Sequence, residues 1–246
     1  MRKYSWQVKL GIILLVSSFV IYLLKFVILG DPENTYYYVF NALGFLPINV
    51  LLVTLVLNEL LSVRARKERL EKLNMVIGTF FSEAGTDLLK TIARADRKIS
   101  TLEDTLRVTR DWKDEDFLRV RKVMEEYPFQ VDFSGIDLEM MRVYLRERRD
   151  FLLRLLENPM LLEHQTFTEL LRAVFHLTEE ISRRDCLSGL PEGDCGHLKG
   201  DVERIYRLLS LEWLSYMKHL HTHYPYLSSL AMRTNPFDSG ARVVVD

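Results

Sequence analysis

Two long apolar runs near the N-terminus constrain this chain more than any other feature of its sequence. From Leu10 to Leu29 the chain is apolar apart from two serines and Lys25, and from Tyr36 to Leu57 it has no charged residue. Twenty helical residues at about 1.5 Å each cover the roughly 30 Å hydrocarbon core of a bilayer. We therefore predict a transmembrane helical hairpin with spans of about 10–29 and 36–60.

Basic residues and a short loop predict how the hairpin is oriented. The Gly-Asp-Pro-Glu-Asn segment at 30–34 is a turn-forming cluster, and it has no basic residue, whereas Lys and Arg flank the other end of each span. Because Lys and Arg are retained on the cytoplasmic side, we predict a plasma-membrane protein with both termini in the cytoplasm. A cleaved signal peptide is the alternative for the first run, but no small-x-small cleavage site follows it. The basic residues after the second span, which we expect to contact lipid headgroups, are Arg64, Arg66, Lys67 and Arg69.

Polar and small residues inside the spans predict helix packing. Those of the first span lie on one helical face, which favours contact with the second span or a neighbouring chain over a conducting surface. They are Gly11, Ser18, Tyr22 and Lys25. In the second span Pro47 predicts a kink that serves either packing or gating. Its asparagines, Asn49 among them, do not share a face, so no polar pore stripe is evident.

The composition changes sharply after the hairpin. Residues 1–62 hold only four of the 33 basic and three of the 34 acidic residues, and the whole chain has a net charge of −1. A remainder with balanced charge excludes a strongly basic nucleic-acid binder, and two cysteines exclude a disulfide scaffold. We predict a transmembrane hairpin at 1–62, a juxtamembrane helix at 63–98 and a cytoplasmic helical domain at 99–246.

The periodicity of the remaining sequence is helical throughout, with one short strand candidate at 242–245. Ser100-x-x-Glu103 resembles a capping box that opens a helix ending near Trp112, and Asn158-Pro159 resembles an N-cap followed by a first-turn proline. A loop is expected at 186–196 and a long last helix from 197 to 223. The fold class is therefore all-α, a membrane hairpin followed by a helical bundle. A coiled-coil-like seam that packs either within the chain or against another subunit comprises Leu70, Leu73, Ile77, Phe80 and Ala84.

Metal binding is the chemistry that the sequence suggests most directly, since no nucleotide-binding or hydrolase motif is present. Cys186, Cys195 and His197 surround one loop, with Asp194 or Asp201 as a fourth ligand, and these are residue types that zinc prefers. The paired Cys-x-x-Cys spacing of a zinc site is missing, however, so two reduced thiols are the interpretation that we favour, and a metal site is the alternative.

Three couples of residues stand four positions apart on predicted helices and could chelate a metal ion. Surface ion pairs and helix-dipole contacts are the interpretation that we favour for them. The couples are His176 with Glu180, His197 with Asp201, and His219 with His223.

Three stretches resemble a known family. The sequences RLEKLNMVIGTFFSEAGTDLLK at 69–90, LLENPMLLEHQTFTELLRAVFHLTEE at 155–180 and EWLSYMKHLHTHYPYLSSLAMRTNPF at 212–237 are similar to a family of small prokaryotic integral membrane proteins of unknown function. The resemblance extends over most of the chain. It implies two spans, a cytoplasmic helical domain and a prokaryotic cell membrane, and it supplies no activity or catalytic residue.

These observations favour a non-enzymatic sensor or partner-binding protein that acts as a homo-oligomer. The expected partners are the lipid bilayer, further copies of the chain and an unidentified cytoplasmic partner or ligand, with no nucleic acid and no cofactor. An oligomeric channel or transporter subunit is the first alternative, because two spans can line a pore only by assembly. A membrane-anchored metalloenzyme is the second.

Overall fold

The computed structural model describes residues 6–29, 32–238 and 240–244, and all regular secondary structure within these ranges is helical. The all-α fold class is thereby confirmed, and the strand candidate at 242–245 shows no strand in its described part. Two compact units make up the chain, Met1–Arg66 and Lys67–Asp246. The boundary between them falls within the predicted juxtamembrane helix.

Ten α-helices and three short turns of other helical types follow one another along the described ranges. The α-helices are α1 (Trp6–Leu29), α2 (Pro32–Phe80), α3 (Thr86–Ala93), α4 (Ser100–Glu103), α5 (Asp114–Glu126), α6 (Leu138–Glu147), α7 (Arg149–Leu156), α8 (Gln165–Ser182), α9 (Glu192–His223) and α10 (Pro225–Arg233). A π-helical turn covers Phe81–Gly85, and 3-10 turns cover Phe133–Gly135 and Pro159–Glu163.

The first unit exposes its large apolar side chains instead of burying them. Leu15 on α1 is 73% exposed and Phe40 on α2 is 78% exposed. In the described residues one continuous helical stretch, Tyr36–Ala93, is long and apolar enough to cross a membrane; it comprises most of α2, the π-helical turn and α3. Its most apolar 18 residues have a mean hydropathy of 2.1, and none of them is buried. Ile12–Ile28 is a shorter apolar helix. Helix α2 continues through Pro47 without interruption.

The predicted turn at 30–34 is only partly covered by the structure. Residues 30 and 31 lie outside the described ranges, and residues 32–34 already belong to the first turn of α2. Proline suits this position because a helix leaves its first N–H groups without intrahelical partners.

The second unit has one hydrophobic core in which α8 and α9 are the central helices. Each presents an apolar stripe at helical spacing, and a buried Leu or Phe contributes about 1.5–3 kcal/mol to folding. The remaining helices of the unit pack around this pair. The buried residues of the two stripes include Phe167, Leu170, Leu171, Val174, Leu177, Ile181, Leu198, Val202, Ile205, Tyr206, Leu209, Trp213 and Met217.

The predicted seam from Leu70 to Ala84 packs within the chain. Leu70 is exposed, but Leu73, Ile77, Phe80 and Ala84 are all buried in the core of the second unit. The apolar spacing that suggested a coiled coil is therefore used for intramolecular packing.

The π-helical turn at Phe81–Gly85 leaves carbonyl groups that α6 and its C-cap satisfy. The hydroxyl of Tyr144 donates to the Ala84 carbonyl at 2.9 Å, and Nε of Arg148 donates to the Glu83 carbonyl at 2.7 Å. A Cβ at Gly85 would lie 2.7 Å from a ring carbon of Phe80. The turn therefore requires glycine, since the two phenyl rings before it occupy the space of a side chain.

The capping box expected at Ser100 and Glu103 is absent, and α4 has only four residues. Ile99, which occupies the N-cap position, already has helical backbone angles, because the chain enters a turn at Asp96. Oδ1 of Asp96 accepts the Lys98 N–H at 2.9 Å and so takes the role that we expected of Ser100. The expected helix extending to about residue 112 therefore does not form.

Other helix boundaries follow their predicted signals more closely. Asn158 caps the turn that begins at Pro159, as expected, by accepting the Met160 N–H at 3.0 Å. The last long helix, however, begins at Glu192 rather than 197. Pro191 fixes a backbone angle suited to a helix start, and the acidic residues of the first turn favour it.

The C-terminal segment closes onto the core of the second unit. Asn235 is buried; its Nδ2 donates to the Leu106 carbonyl at 2.9 Å, and its Oδ1 accepts the Phe237 N–H at 3.0 Å. The Phe237 ring packs edge-on against Trp213, with 5.1 Å between the ring centroids.

Candidate functional site

Two couples of polar side chains face each other where α8 and α9 pack together. His176 and Glu180 lie one turn apart on α8, and His197 and Asp201 lie one turn apart on α9. Each couple flanks a buried stripe, so the packing of the stripes brings the four side chains to the same place.

The polar atoms of this cluster lie a few ångströms apart. Oδ2 of Asp201 is 3.5 Å from Nε2 of His176 and 3.5 Å from Nε2 of His197. The Glu180 carboxylate is 3.9 Å from each of the same nitrogens. The two imidazole rings are nearly perpendicular, with 6.4 Å between their centroids. Each carboxylate thus lies close to both histidines.

Asp201 is the buried member of the cluster. Its side chain is 8% exposed, and its Oδ1 accepts a hydrogen bond from Arg204. Oδ2 is buried and accepts no hydrogen bond from the described residues. A buried carboxylate oxygen without a donor is unfavourable, and it requires an explanation in a folded protein.

Glu180 belongs to an ion-pair network that continues away from the histidines. Arg184 donates to Oε2 of Glu180 at 2.7 Å and to both carboxylate oxygens of Asp194 at 2.6 and 2.8 Å. The Arg184 hydrogen bonds hold the pKa of Glu180 and the pKa of Asp194 below their usual range. Both carboxylates are therefore ionised at neutral pH, and Arg184 occupies only one oxygen of Glu180.

The cluster is open to solvent and offers ligand atoms suited to a metal ion. The His176 and His197 side chains are 46% and 52% exposed, and a cavity of about 340 Å³ adjoins His176. The candidate ligand atoms of His176, Glu180 and His197 all lie within 4.8 Å of one another, so among the described residues these three form a group that could hold a metal ion. Asp201 approaches both histidines but is not part of that group.

The predicted metal residues separate in the structure. His197 and Asp201 belong to the cluster, but neither cysteine is part of the three-residue group. Sγ of Cys186 is 2.9 Å from the Ser188 hydroxyl, whose hydrogen bond lowers the pKa of the thiol. Sγ of Cys195 donates to the Leu190 carbonyl at 3.6 Å.

His176 and Glu180 were not among the predicted metal ligands. Their i,i+4 spacing is visible in the sequence, but nothing local shows that the other couple, on α9, lies opposite them. The end of the loop expected at 186–196, which includes Cys195, is also helix from residue 192.

The residues predicted to pack the first span lie near the second helix. Nζ of Lys25 is 3.7 Å from the centre of the Tyr38 ring. Ser18, Tyr22 and Lys25 line a cavity of about 510 Å³ together with Tyr38. Gly11 lies in α1, and its surroundings fall outside the described side chains. Lys25 of this face thus contacts α2 within the same chain.

The remaining predicted membrane residues are all on α2. Pro47 and Asn49 are exposed. The residues predicted to contact lipid headgroups all lie on the part of α2 that follows the apolar run; they are Arg64, Arg66, Lys67 and Arg69. Their contact with lipid stays a prediction.

A second buried carboxylate lies elsewhere on α9. Glu212 is buried, accepts a hydrogen bond from Thr166 at 3.2 Å, and lies 3.9 Å from Nε2 of His164. Burial raises the pKa of Glu212, and His164 and Thr166 oppose this shift only in part. Sequence reasoning missed this group because nothing in its local sequence indicates burial.

Both parts of the chain match a protein family. Residues 2–61 match the family described as "MJ1433, N-terminal helical domain", and residues 69–233 match "Uncharacterized protein MJ1433, C-terminal helical domain". The chain is also 42% identical over 244 residues to "Uncharacterized protein MJ1433" of Methanocaldococcus jannaschii, covering 99% of this chain and 98% of that protein. No solved structure matches significantly.

Proposed function

The chain belongs to the family of the uncharacterised protein MJ1433, and on that premise we propose that it is a two-span integral membrane protein with a cytoplasmic helical domain. This domain binds a signal or a partner and does not catalyse a reaction. The family divides between residues 61 and 69, and the two structural units meet in the same interval. An anchor joined to a binding domain accounts for that division.

The observation that carries this proposal is the contrast in burial between the two units. The second unit has a closed hydrophobic core, whereas the apolar window in α2 is not buried at all. Exposed apolar surface on this scale is unfavourable in water at about 25 cal/mol per Å², and it marks contact with lipid or with another protein. A helix that has no charged residue over more than 20 consecutive positions is long enough to span the hydrocarbon core of a bilayer, so we favour lipid.

The first helix supports a second crossing. Its 24 residues correspond to about 36 Å of helix, which exceeds the roughly 30 Å hydrocarbon core. Lys25 is the one charged residue in its apolar run, and the Tyr38 ring interacts with the ammonium group at 3.7 Å. A cation–π contact of this kind partly offsets the cost of placing a lysine near lipid.

The polar cluster on α8 and α9 supports binding as the role of the domain. Its groups converge on one solvent-accessible place, and the sequence has no nucleotide-binding or hydrolase motif beside it. We propose that the anchored chain acts as a homo-oligomer, because two helices leave much of their apolar surface available to neighbouring copies. Native mass spectrometry in several mild detergents tests the oligomer, and a monomer in all of them would contradict it.

Membrane topology is tested with single cysteines in a chain whose two native cysteines are replaced by serine. One variant carries Asn34→Cys in the first turn of α2, beside the segment that connects the two helices, and the other Arg242→Cys near the C-terminus. On intact cells, a membrane-impermeant thiol reagent should label position 34, and it should label position 242 only after permeabilisation. The reverse labelling pattern, or extraction of the chain from membranes by alkaline carbonate, would overturn the proposal.

A further inference from the structure

We propose that His176, Glu180, His197 and Asp201 form a binding site for a divalent transition-metal ion of the zinc class. Two imidazole nitrogens with carboxylate oxygens are the ligands that Zn²⁺ and its neighbours prefer, whereas Ca²⁺ and Mg²⁺ take oxygen ligands alone. This inference rests on the proposed binding role of the cytoplasmic domain and names the signal that the domain would receive.

The spacing of the ligand atoms suits such an ion. Two ligands that each lie about 2.1 Å from a tetrahedral ion are separated by about 3.4 Å. Oδ2 of Asp201 is 3.5 Å from the nearest ring nitrogen of each histidine. The Glu180 carboxylate lies 3.9 Å from the same nitrogens, and its ligand atom is within 4.8 Å of those of both histidines.

The buried oxygen of Asp201 is the independent observation that points to a cation. Oδ2 accepts no hydrogen bond from the described part of the chain, although the side chain is more than nine-tenths buried and faces both histidines. Arg204 pairs with the other oxygen of this carboxylate, and a metal ion bound at this place would satisfy Oδ2. If the histidines only formed ion pairs with the carboxylates, both His176 and His197 would have to be positively charged, and the two like charges would lie next to each other.

The surrounding side chains form the outer contacts that metal ligands commonly have. Arg204 donates to the other oxygen of Asp201, and Arg184 donates to Oε2 of Glu180. Such outer hydrogen bonds fix the orientation of ligands and tune their affinity. Oε1 of Glu180 stays on the side of His176. The half-exposed imidazoles leave a route for the ion to enter and room for a water ligand.

Metal binding at this place would connect two helices across their loop. His176 and Glu180 lie in the last turns of α8, and His197 and Asp201 lie in the first half of α9. The ion would therefore fix the segment 183–191 between them.

The test uses the full chain without a polyhistidine tag, purified in detergent and stripped of metal with EDTA. Zn²⁺ is titrated against a chromophoric chelator, and Co²⁺ is added separately because its visible absorption reports coordination geometry. We expect one Zn²⁺ per chain, a higher Tm with Zn²⁺, and a tetrahedral Co²⁺ spectrum. The double variant H176A/H197A should weaken Zn²⁺ binding at least about tenfold.

The matched control is H219A/H223A, which removes the other i,i+4 histidine couple of α9. This control should bind one Zn²⁺ with unchanged affinity. Equal affinity in the wild-type chain and H176A/H197A, or loss of binding in the control alone, would overturn the proposed site. An absence of Zn²⁺ binding in the wild-type chain would also overturn the proposed site. That result would not affect the proposed membrane topology, because the cysteine-labelling pattern is measured separately.

Asp201→Asn separates metal binding from a structural role. The amide oxygen can still accept from Arg204, but the variant lacks the buried negative charge. Without metal its Tm should equal or exceed that of the wild-type chain, and with saturating Zn²⁺ it should be lower. A variant that is less stable under both conditions by the same amount would show that Asp201 acts only in folding, and would contradict the proposal.

Discussion

Buried carboxylates are the residues whose protonation should most affect the stability of the helical domain. Glu212 is the clearest case, because burial raises its pKa above the usual value of about 4.3. The folded chain therefore holds this proton at a pH where the unfolded chain has released it. The stabilising contribution of the protonated form is complete below the unfolded pKa and is lost as the pH rises through the folded pKa.

Glu212→Gln should consequently stabilise the protein at alkaline pH and lose that advantage in acid. Glutamine does not titrate, and its amide oxygen can keep the hydrogen bond from Thr166. We expect the variant to have a Tm a few degrees higher than the wild-type chain at alkaline pH, with the difference shrinking as the pH falls towards the unfolded pKa. Thermal unfolding followed by tryptophan fluorescence measures this. Glu169→Gln, an exposed site on α8, is the control; a difference for Glu212→Gln that does not change with pH would contradict the prediction.

The cluster on α8 and α9 illustrates how far residue-level prediction reaches. His197 and Asp201 are candidate ligands from sequence alone, and both i,i+4 couples are visible there, because helical spacing is a local property. The two cysteines are candidates for their chemistry and their nearness in sequence. Their sulfurs instead contact their own loop, since the site is assembled from two helices whose packing depends on distant apolar residues.

At the scale of secondary-structure elements, the π-helical turn shows most clearly why one side chain is excluded. A methyl group at Gly85 would meet ring carbons of Phe80 and Phe81 at 2.7 and 2.8 Å, and both rings are buried. We expect Gly85→Ala to lower the free energy of unfolding by about 1–3 kcal/mol, since a tightly packed core resists added volume.

Gly200→Ala is the matched control for that change. Gly200 lies inside α9, and a methyl group there would have no atom within 4 Å, so alanine should stabilise the helix by about 0.5–1 kcal/mol. Chemical denaturation in detergent measures both variants. Opposite signs are expected, and destabilisation of equal size at both positions would contradict this account of the turn.

Helix boundaries are predictable where a single residue decides them. Asn158 and Pro159 begin a turn as expected, because the side-chain cap and the fixed proline angle act locally. The capping box at Ser100 does not form because Asp96 has already turned the backbone into helical geometry a few residues earlier. Competition between neighbouring capping residues cannot be resolved from the spacing of one motif.

At the scale of the whole molecule, the helical domain should fold without the N-terminal unit. Every side chain of its core cluster lies between Leu73 and Phe237. A fragment of residues 67–246 should therefore remain soluble after ultracentrifugation without detergent and unfold cooperatively by circular dichroism. A fragment of residues 82–246 is the control: it lacks Leu73, Ile77 and Phe80, each worth about 2–5 kcal/mol of core packing, and should not fold. Aggregation of the longer fragment would contradict the prediction.

The all-α architecture is predictable from the sequence because helical periodicity persists through nearly the whole chain after residue 62. The arrangement of the helices is not, since it depends on which apolar stripes meet. The seam that begins at Leu70 shows this limit. Its spacing suits a subunit interface as well as an internal contact, and only the burial of Leu73 and Ile77 in the core distinguishes the two.

The closure made by Asn235 and Phe237 has a consequence for biosynthesis. Asn235 bonds to the Leu106 carbonyl across 129 positions, so this contact forms only after the final segment has left the ribosome. At about 5–20 residues per second, translation of residues 67–246 takes about 10–40 s. In the proposed two-span protein, the N-terminal apolar helices would already be available to the insertion machinery during that interval, while the later helices lack their closing contact. Membrane targeting would then precede completion of the domain, and chaperones would meet a nascent chain that is already tethered.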